Sequence, residues 1–509
     1  MKIKIIATLF ITGLYALSSC SKNLLEEEIY SQPVEEKVKG KIGAALLTNG
    51  IYGFLQFYGY YRGGGLYLLD TEAGTDEFYC NWGSVDTDSW GGNINFLNMN
   101  AAHFQVQKKW DHSYKIIAQC NDVINKFSSE NDKDIVQNVA QAKFWRAYAY
   151  TKLYNVYGAV PLIKGNEDQS NGIAKASVAE LESFIESELK SVMSVLPPSY
   201  STSDYGRPTS WAVKAFLARF YLDRHKWREA SDLAKDVITN GGFSLMPEYQ
   251  DIFGKNGNDE VILAINHIAQ SDRGNKYVAL SVEAKLNEAL EIKGVSASNG
   301  FGMAVQFYQT FNANDKRIAP YDRNTGKGIA MAGIIRDAEG KPAYGDKDNP
   351  KTVEDALHRV VTCKWPVLQN IPRGEDAPLN VPLLRLGETM LTYAEAQNEL
   401  GNWSEAAIYL KKIRERSVPG SADITAADPA SMRKAILDER GWELYHEGYR
   451  REDLMRAGSD VYLAKMNEKA MFYLKKPLPW GADARRILNP IPVTALQINP
   501  LLKQNPGYD

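Results

Sequence analysis

A mostly α-helical fold, with tetratricopeptide-like helical pairs carrying a loop-rich, mixed remainder, is predicted by three observations. One segment opens on a capping box and keeps a single apolar face. One helix pattern occurs twice in the same register. Between the helical blocks the composition shifts to Gly, Asn, Asp, Pro and aromatic residues.

Ser177-Val178-Ala179-Glu180 has the capping-box spacing, in which the Ser and Glu side chains each satisfy an orphan backbone donor. Val178, Leu181, Ile185, Leu189, Val192 and Leu196 then fall on one face, and Pro197-Pro198 is expected to end the helix. The repeated pattern is W-x-E-A, at Trp227 to Ala230 and at Trp403 to Ala406. Ala230, Leu233, Ala234 and Val237 match Ala406, Tyr409, Leu410 and Ile413 as one apolar stripe. Each copy follows an alanine-bearing helix (Ala212, Ala215 and Ala218; Ala394 and Ala396) across a tight turn, His225-Lys226 or Gly401-Asn402. Helix, turn, helix with close-packing alanines is the tetratricopeptide manner. Ala142 to Tyr157 predicts a further helix of this kind. Residues 59–100 and 240–380 read as loops with a few short strands, Val261 to Ile265 among them. Long loops on a rigid scaffold are where binding residues concentrate.

The start of the chain is a targeting device. Lys2 and Lys4, the apolar run Ile5 to Leu17 and the small residues before Cys20 form a secretory signal over residues 1–19. The run is too short for a transmembrane helix of about 20 residues. Cys20 is placed as the lipidated first residue of a bacterial lipoprotein, so a membrane anchor is expected there. The acidic run Glu26 to Glu28 comes only after Lys22 and Asn23. Residues 20–509 are expected to form one body, with an N-terminal part to residue 300 and a C-terminal part from 301. The chain carries a net charge of −3, and losing the signal removes two lysines. A mildly acidic surface of this kind argues against nucleic acid as a partner. Cys80, Cys120 and Cys363 form neither a disulfide framework nor a zinc spacing. The fold therefore rests on an apolar core, and a chain of 509 residues that is 44% hydrophobic has ample material for one.

With the helices placed, the sequence resembles the SusD/RagB family over almost its whole mature length. Trp110, Tyr114, Ile117, Asn121 and Ile124 look like that family's W-x3-Y-x2-I-x3-N-x2-I helix. Arg146-Ala147-Tyr148 with Tyr157-Gly158-Ala159-Val160-Pro161-Leu162, and Gly206-Arg207-Pro208-Thr209, follow in the family's order. So do Leu384 to Glu388, Tyr393 to Glu399, Glu439-Arg440, Glu443-Leu444, Glu447-Gly448 and Asp453-Leu454. The tail with Ile491-Pro492 and Gln504 to Tyr508 completes the match; Ala457 departs from it, standing where a Trp is common. These motifs are mostly scaffold: Tyr148, Tyr157, Tyr393 and Trp403 are expected in the core, and Glu395, Glu399, Arg440 and Glu443 in ion pairs or caps. The resemblance implies a surface lipoprotein of the outer membrane that captures glycan. Its implied partner is a SusC-like TonB-dependent barrel. It also leaves two alternatives open, a peptide cargo as in the RagB-like branch and a protein-interaction scaffold.

No GxSxG, HExxH, Walker A or EF-hand spacing occurs, no cofactor is expected, and Gly63-Gly64-Gly65 reads as a turn. His103 and His112, nine apart, have poor metal-ligand spacing. Asp70, Glu72, Asp76 and Glu77 are the nearest approach to a glycosidase carboxylate pair. They read better as solvated or capping acids. Sugar rings have an apolar face edged with hydroxyls, which suits aromatic platforms beside amides. Tyr79, Asn81, Trp82, Trp90 and Asn93 supply that mixture in one Gly/Asn-rich loop, a region on which SusD-like sites draw by resemblance. Tyr321, with Asp322, Arg323 and Trp365, is the candidate second contribution; for Trp365 a packing role is the stronger reading.

Overall fold

The computed structural model describes residues 38–58, 72, 74–82, 90–165, 167–168, 170–289, 291–322, 325, 327–331, 335–336, 342–344, 359–421, 424, 428–478, 480–481 and 483–508. Cys20, Gly63 to Gly65, Asp70 and Arg323 lie outside them.

Long helices dominate. In chain order they are α1 (Gly40–Tyr58), α2 (a short one, Trp90–Asn95), α3 (Phe104–Phe127), α4 (Lys133–Tyr157), α5 (Val178–Val192), α6 (Ser210–Leu222) and α7 (Trp227–Asn240). The C-terminal half adds α8 (Leu386–Glu399), α9 (Trp403–Ser417), α10 (Pro429–Leu444), α11 (Arg450–Ala457) and α12 (Ser459–Leu474). Neighbours in sequence pack as pairs: α3 on α4, α4 on α5, α6 on α7, α8 on α9. Helix α8 also lies against α7, which sets the two W-x-E-A hairpins side by side. Gln397 bonds to Ser231 (2.7 Å) and Lys235 to Tyr409 (2.8 Å) across that seam. Ala218, Ala234, Ala394 and Ala406 share the core beneath it, so small side chains are what allow the close approach. The turns need left-handed backbone, with φ +56° at His225 and +85° at Gly401.

The capping box is formed: Ser177 N donates to Glu180 (2.9 Å) and Glu180 N to Ser177 Oγ (3.2 Å). Helix α5 ends at Val192, four residues before Leu196, so the prolines follow the helix end rather than make it. Helix α4 begins at Lys133, capped by Asp132, more than two turns ahead of the expected Ala142. Tyr148, Tyr157 and Tyr393 are buried as expected, but Trp403 is 40% exposed. It opens α9, and the stripe that packs on α8 starts one turn later at Ala406.

Short strands bring distant residues together. Strand β1 (Phe78–Cys80) pairs antiparallel with β3 (Phe301–Met303), and β2 (Val261–Ile265) with β6 (Val381–Arg385). Strand β4 (Ala330–Met331) pairs with β5 (Val361–Thr362). Bridges Met303–Val360 and Pro320–Ala330 extend the first ladder. Five segments therefore run edge to edge in the order 78–80, 301–303, 360–362, 329–331, 320–322. Behind β6 lies a buried ionic cluster. Arg385 bonds to Glu260 (2.9 Å), Glu443 (2.6 Å) and Glu447 (2.7 Å), and Arg317 to Asp315 (2.7 Å) and Glu439 (2.6 Å). The expected pairing of Glu443, Glu395, Glu399 and Arg440 is seen, the last three with Arg456, Arg433 and Asp453.

Candidate functional site

The loop that follows β1 is closed by an amide. Asn95 Oδ1 accepts from Cys80 N and its Nδ2 donates to Cys80 O, both at 2.8 Å, imitating a strand neighbour. Between these anchors the chain carries Asn81, Trp82, Trp90 and Asn93. Asn81 N extends the ladder by donating to Gly300 O (2.7 Å), and its side-chain amide reaches Asn299 O (3.4 Å). The Trp82 indole N–H donates to Ser298 O (2.9 Å), and the ring stays half-exposed against the core edge. Gly300 is required here: a Cβ on it would lie 2.4 Å from Trp82 Cζ2. Gly91, the second residue of α2, is equally pressed, since its Cβ would meet Trp82 O. The indole is thus fixed on the edge formed by residues 298–300 while one part of it remains open to solvent.

Trp90 is the first residue of α2; its side chain lies outside the described residues. Asn93, one turn on, is not beside Trp82. It lines a separate cavity of about 430 Å³ with Asn98, Asn100, Arg486 and Tyr508. Asn98 Nδ2 donates to Asn93 Oδ1 (3.0 Å), and the Arg486 guanidinium lies 5.2 Å over the Tyr508 ring. Burial pushes the Tyr508 hydroxyl up to about 12, and it donates to Leu488 O (2.7 Å). Three amides, an aromatic ring and a guanidinium make a polar, sugar-like lining. Asn95, Asn98, Asn100, Arg486, Tyr508 and the 298–300 edge were all missed by reasoning from sequence. The asparagine spacing at 93, 95, 98 and 100 was the available signal.

Tyr79 is a core residue. It is 2% exposed and stacks on Tyr473 with centroids 4.4 Å apart, so its ring faces no ligand. All three residues of β1 are buried. Trp365 is likewise 1% exposed, packed on Tyr277 and Phe253, with its indole N–H on Asn380 O (2.9 Å). Tyr321 is half-buried at the far edge of the ladder, four strand spacings or about 19 Å from the β1 edge. It and Trp82 stand on opposite edges. Asp322 beside it accepts from Thr325 (2.8 Å).

The acidic cluster is not solvated. Glu72, Asp76 and Glu77 are buried. The two oxygens of Asp76 accept from Nε and Nη2 of Arg450 (2.7 Å each), whose charge outweighs burial and holds the carboxyl low. Glu72 accepts from Gly448 N and Tyr449 N, and Glu77 from His446 N (2.9 Å). Burial raises the pKa of both glutamates, and for Glu77 the charge of Glu72 raises it further. Each keeps a second oxygen that no backbone donor satisfies, so one proton shared between the two carboxyls fits the pair. His103 caps α3 through Nδ1, accepting from Gln105 N (3.3 Å), and His112 is half-buried, its pKa lowered to about 3 by loss of solvent. Among the described residues, no group of three His, Cys, Asp or Glu is placed to hold a metal ion.

The sequence and fold are shared with known proteins. Residues 236–508 match the profile described as the SusD family, and residues 75–222 match one described as starch-binding associating with outer membrane. SusD-like protein P25 of Formosa agariphila is 24% identical over 484 residues, covering 86% of this chain and 88% of that protein. The starch-binding protein SusD of Bacteroides thetaiotaomicron is 24% identical over 449 residues, covering 77% and 76%. The structure of surface glycan-binding protein A from Bacteroides uniformis superposes with a TM-score of 0.71 at 22% identity, over 91% of this chain and 98% of that one. The paired helices, the short ladders and the profile over more than half the sequence agree: the chain belongs to the SusD family.

Proposed function

We propose that this protein is a non-catalytic glycan-binding lipoprotein. It is anchored at the outer membrane through Cys20, faces outward, and passes oligosaccharide to a SusC-like TonB-dependent barrel. The observation that carries the reading is the Trp82 indole, pinned to Ser298 O yet half-exposed beside the Asn81 amide, in a chain of the SusD family. An indole held in this way offers a flat apolar face without further ordering cost, and the neighbouring amide can meet ring hydroxyls. The starch- and glycan-binding names of its relatives support a saccharide cargo. The deep burial of Glu72, Asp76 and Glu77 supports binding without cleavage, because no sugar reaches them.

A panel of soluble plant, host and microbial oligosaccharides, titrated into residues 20–509, tests the proposal. One class should bind and be recovered uncut. Binding of none, or release of shortened sugars, would defeat it.

A further inference from the structure

A second cavity, of about 300 Å³, lies where α1, the turn before α6 and the end of β2 meet. Its floor is aromatic. Tyr52 and Trp145 stand edge to face at 5.9 Å, and Tyr205 lines one side. The Trp145 indole N–H is buried and lacks a well-formed hydrogen bond, and the adjacent Tyr52 hydroxyl is committed to Gln141 (2.6 Å).

The rim is polar and built. Arg207 is held by Asp204 (2.7 Å), Gln141 (3.0 Å) and Asn49 (3.1 Å), with its guanidinium 5.5 Å over the Tyr52 ring. Three of its five N–H groups are thereby used, leaving two to point elsewhere. Gln56 fixes the opposite wall by donating to Asn266 O (3.0 Å) and Arg273 O (3.3 Å). Asn266 in turn donates to Tyr205 O. Of the charged residues lining the cavity, Arg207 is neutralised by Asp204, which leaves the exposed Arg273 as an excess cation.

Each feature narrows the occupant. The volume stands at the lower limit for small-molecule sites, enough for one sugar ring. An aromatic floor with an amide rim suits a pyranose. The excess guanidinium calls for one negative charge, and arginine recognises a carboxylate through paired N–H donors.

We propose that this cavity is a subsite for a single sugar unit bearing a carboxylate, a hexuronate, held among the Tyr52 and Tyr205 side chains with its charge towards Arg273. The subsite is distinct from the Trp82 edge and extends recognition to acidic glycans. It does not depend on which neutral sugar the Trp82 edge takes.

Residues 20–509, titrated with D-glucuronate and D-galacturonate at low salt, provide the test, with D-glucose, D-galactose and sodium acetate as controls. A hexuronate should bind at least about tenfold tighter than its neutral parent and than acetate, weakening as salt is added. Arg273→Gln, at an exposed position, should remove about tenfold of that affinity and leave the melt unchanged. Trp82→Ala should leave hexuronate binding intact. The Trp145 indole resonance should shift on binding. Should Trp145→Phe, needed to assign that resonance, not fold, Arg273→Gln still decides the matter. Equal affinity for uronate and neutral sugar, acetate binding as well as uronate, no uronate binding, or uronate binding unmoved by Arg273→Gln would overturn the proposal. Loss of uronate binding in Trp82→Ala would move the uronate to the other site and overturn it too.

Discussion

Glu77→Gln should turn a pH-dependent part of the stability into a pH-independent one. Glu72 and Glu77 are buried side by side, both raised by burial, and one proton satisfies the oxygen on each that the backbone leaves bare. The unfolded chain releases that proton near pH 4.3, while the folded one keeps it well beyond. A raised carboxyl contributes fully below the unfolded value, and its contribution is lost as pH rises towards the folded one. Glutamine supplies the shared hydrogen permanently and can still accept from His446 N. The variant should therefore gain on the wild type as pH rises, by at most about 1.4 kcal/mol per pH unit while the folded pair keeps its proton. The comparison must be a difference between the two proteins. His446 and Lys469 are buried and His112 half-buried, all with lowered pKa values, and they add slopes of opposite sign that both proteins share. Urea unfolding of both at pH 6, 7 and 8, with unchanged m-values, provides the reading. A difference constant with pH would refute the shared proton, and a uniform loss would mark Glu77 as an ordinary ionised acceptor.

Three further outcomes can be measured. Arg385→Met removes the cation shared by Glu260, Glu443 and Glu447, which keep Arg416, Arg317 and Lys364, and should cost at most about 3–5 kcal/mol in chemical unfolding. Halves divided near residue 300 should not fold separately, because β1–β3 and β2–β6 each take one strand from either side; an independent cooperative melt from one half would contradict this. Cys20→Ala should yield a folded protein that leaves the membrane fraction, and unchanged retention in cells lacking the barrel would count against the anchor.

The helices were legible because their signals are local. The Ser177–Glu180 box, the W-x-E-A registers and the alanines facing them lie within a few residues of what they determine. Helix ends were less legible: α4 starts at Lys133, capped by Asp132, and its buried stripe already begins at Ile135 and Val139. The site was legible only in composition. Asn81 and Trp82 were placed in a binding loop, but nothing near Tyr79 in sequence shows that Tyr473 lies against it, almost four hundred residues away. Nor does it show that Asn93 belongs with Tyr508, or that Glu72 and Glu77 lie under the turn at Gly448. Such long-range pairings depend on how whole helices stack, and a short strand of three residues carries too little pattern to announce its partner.

Glycan capture rests on the Trp82 ring. Calorimetric titration of Trp82→Ala and Trp82→Phe with the oligosaccharide that binds the wild type tests it most directly. Removing the ring should cost about 1–3 kcal/mol, roughly tenfold to a hundredfold in affinity, because stacking on one aromatic face is lost. Phenylalanine should recover part of that loss, since it restores a ring but not the bond to Ser298. Both variants should melt within a few degrees of the wild type. Affinity unchanged in a folded Trp82→Ala protein would contradict the account, and the Asn93–Tyr508 cavity would become the place to look.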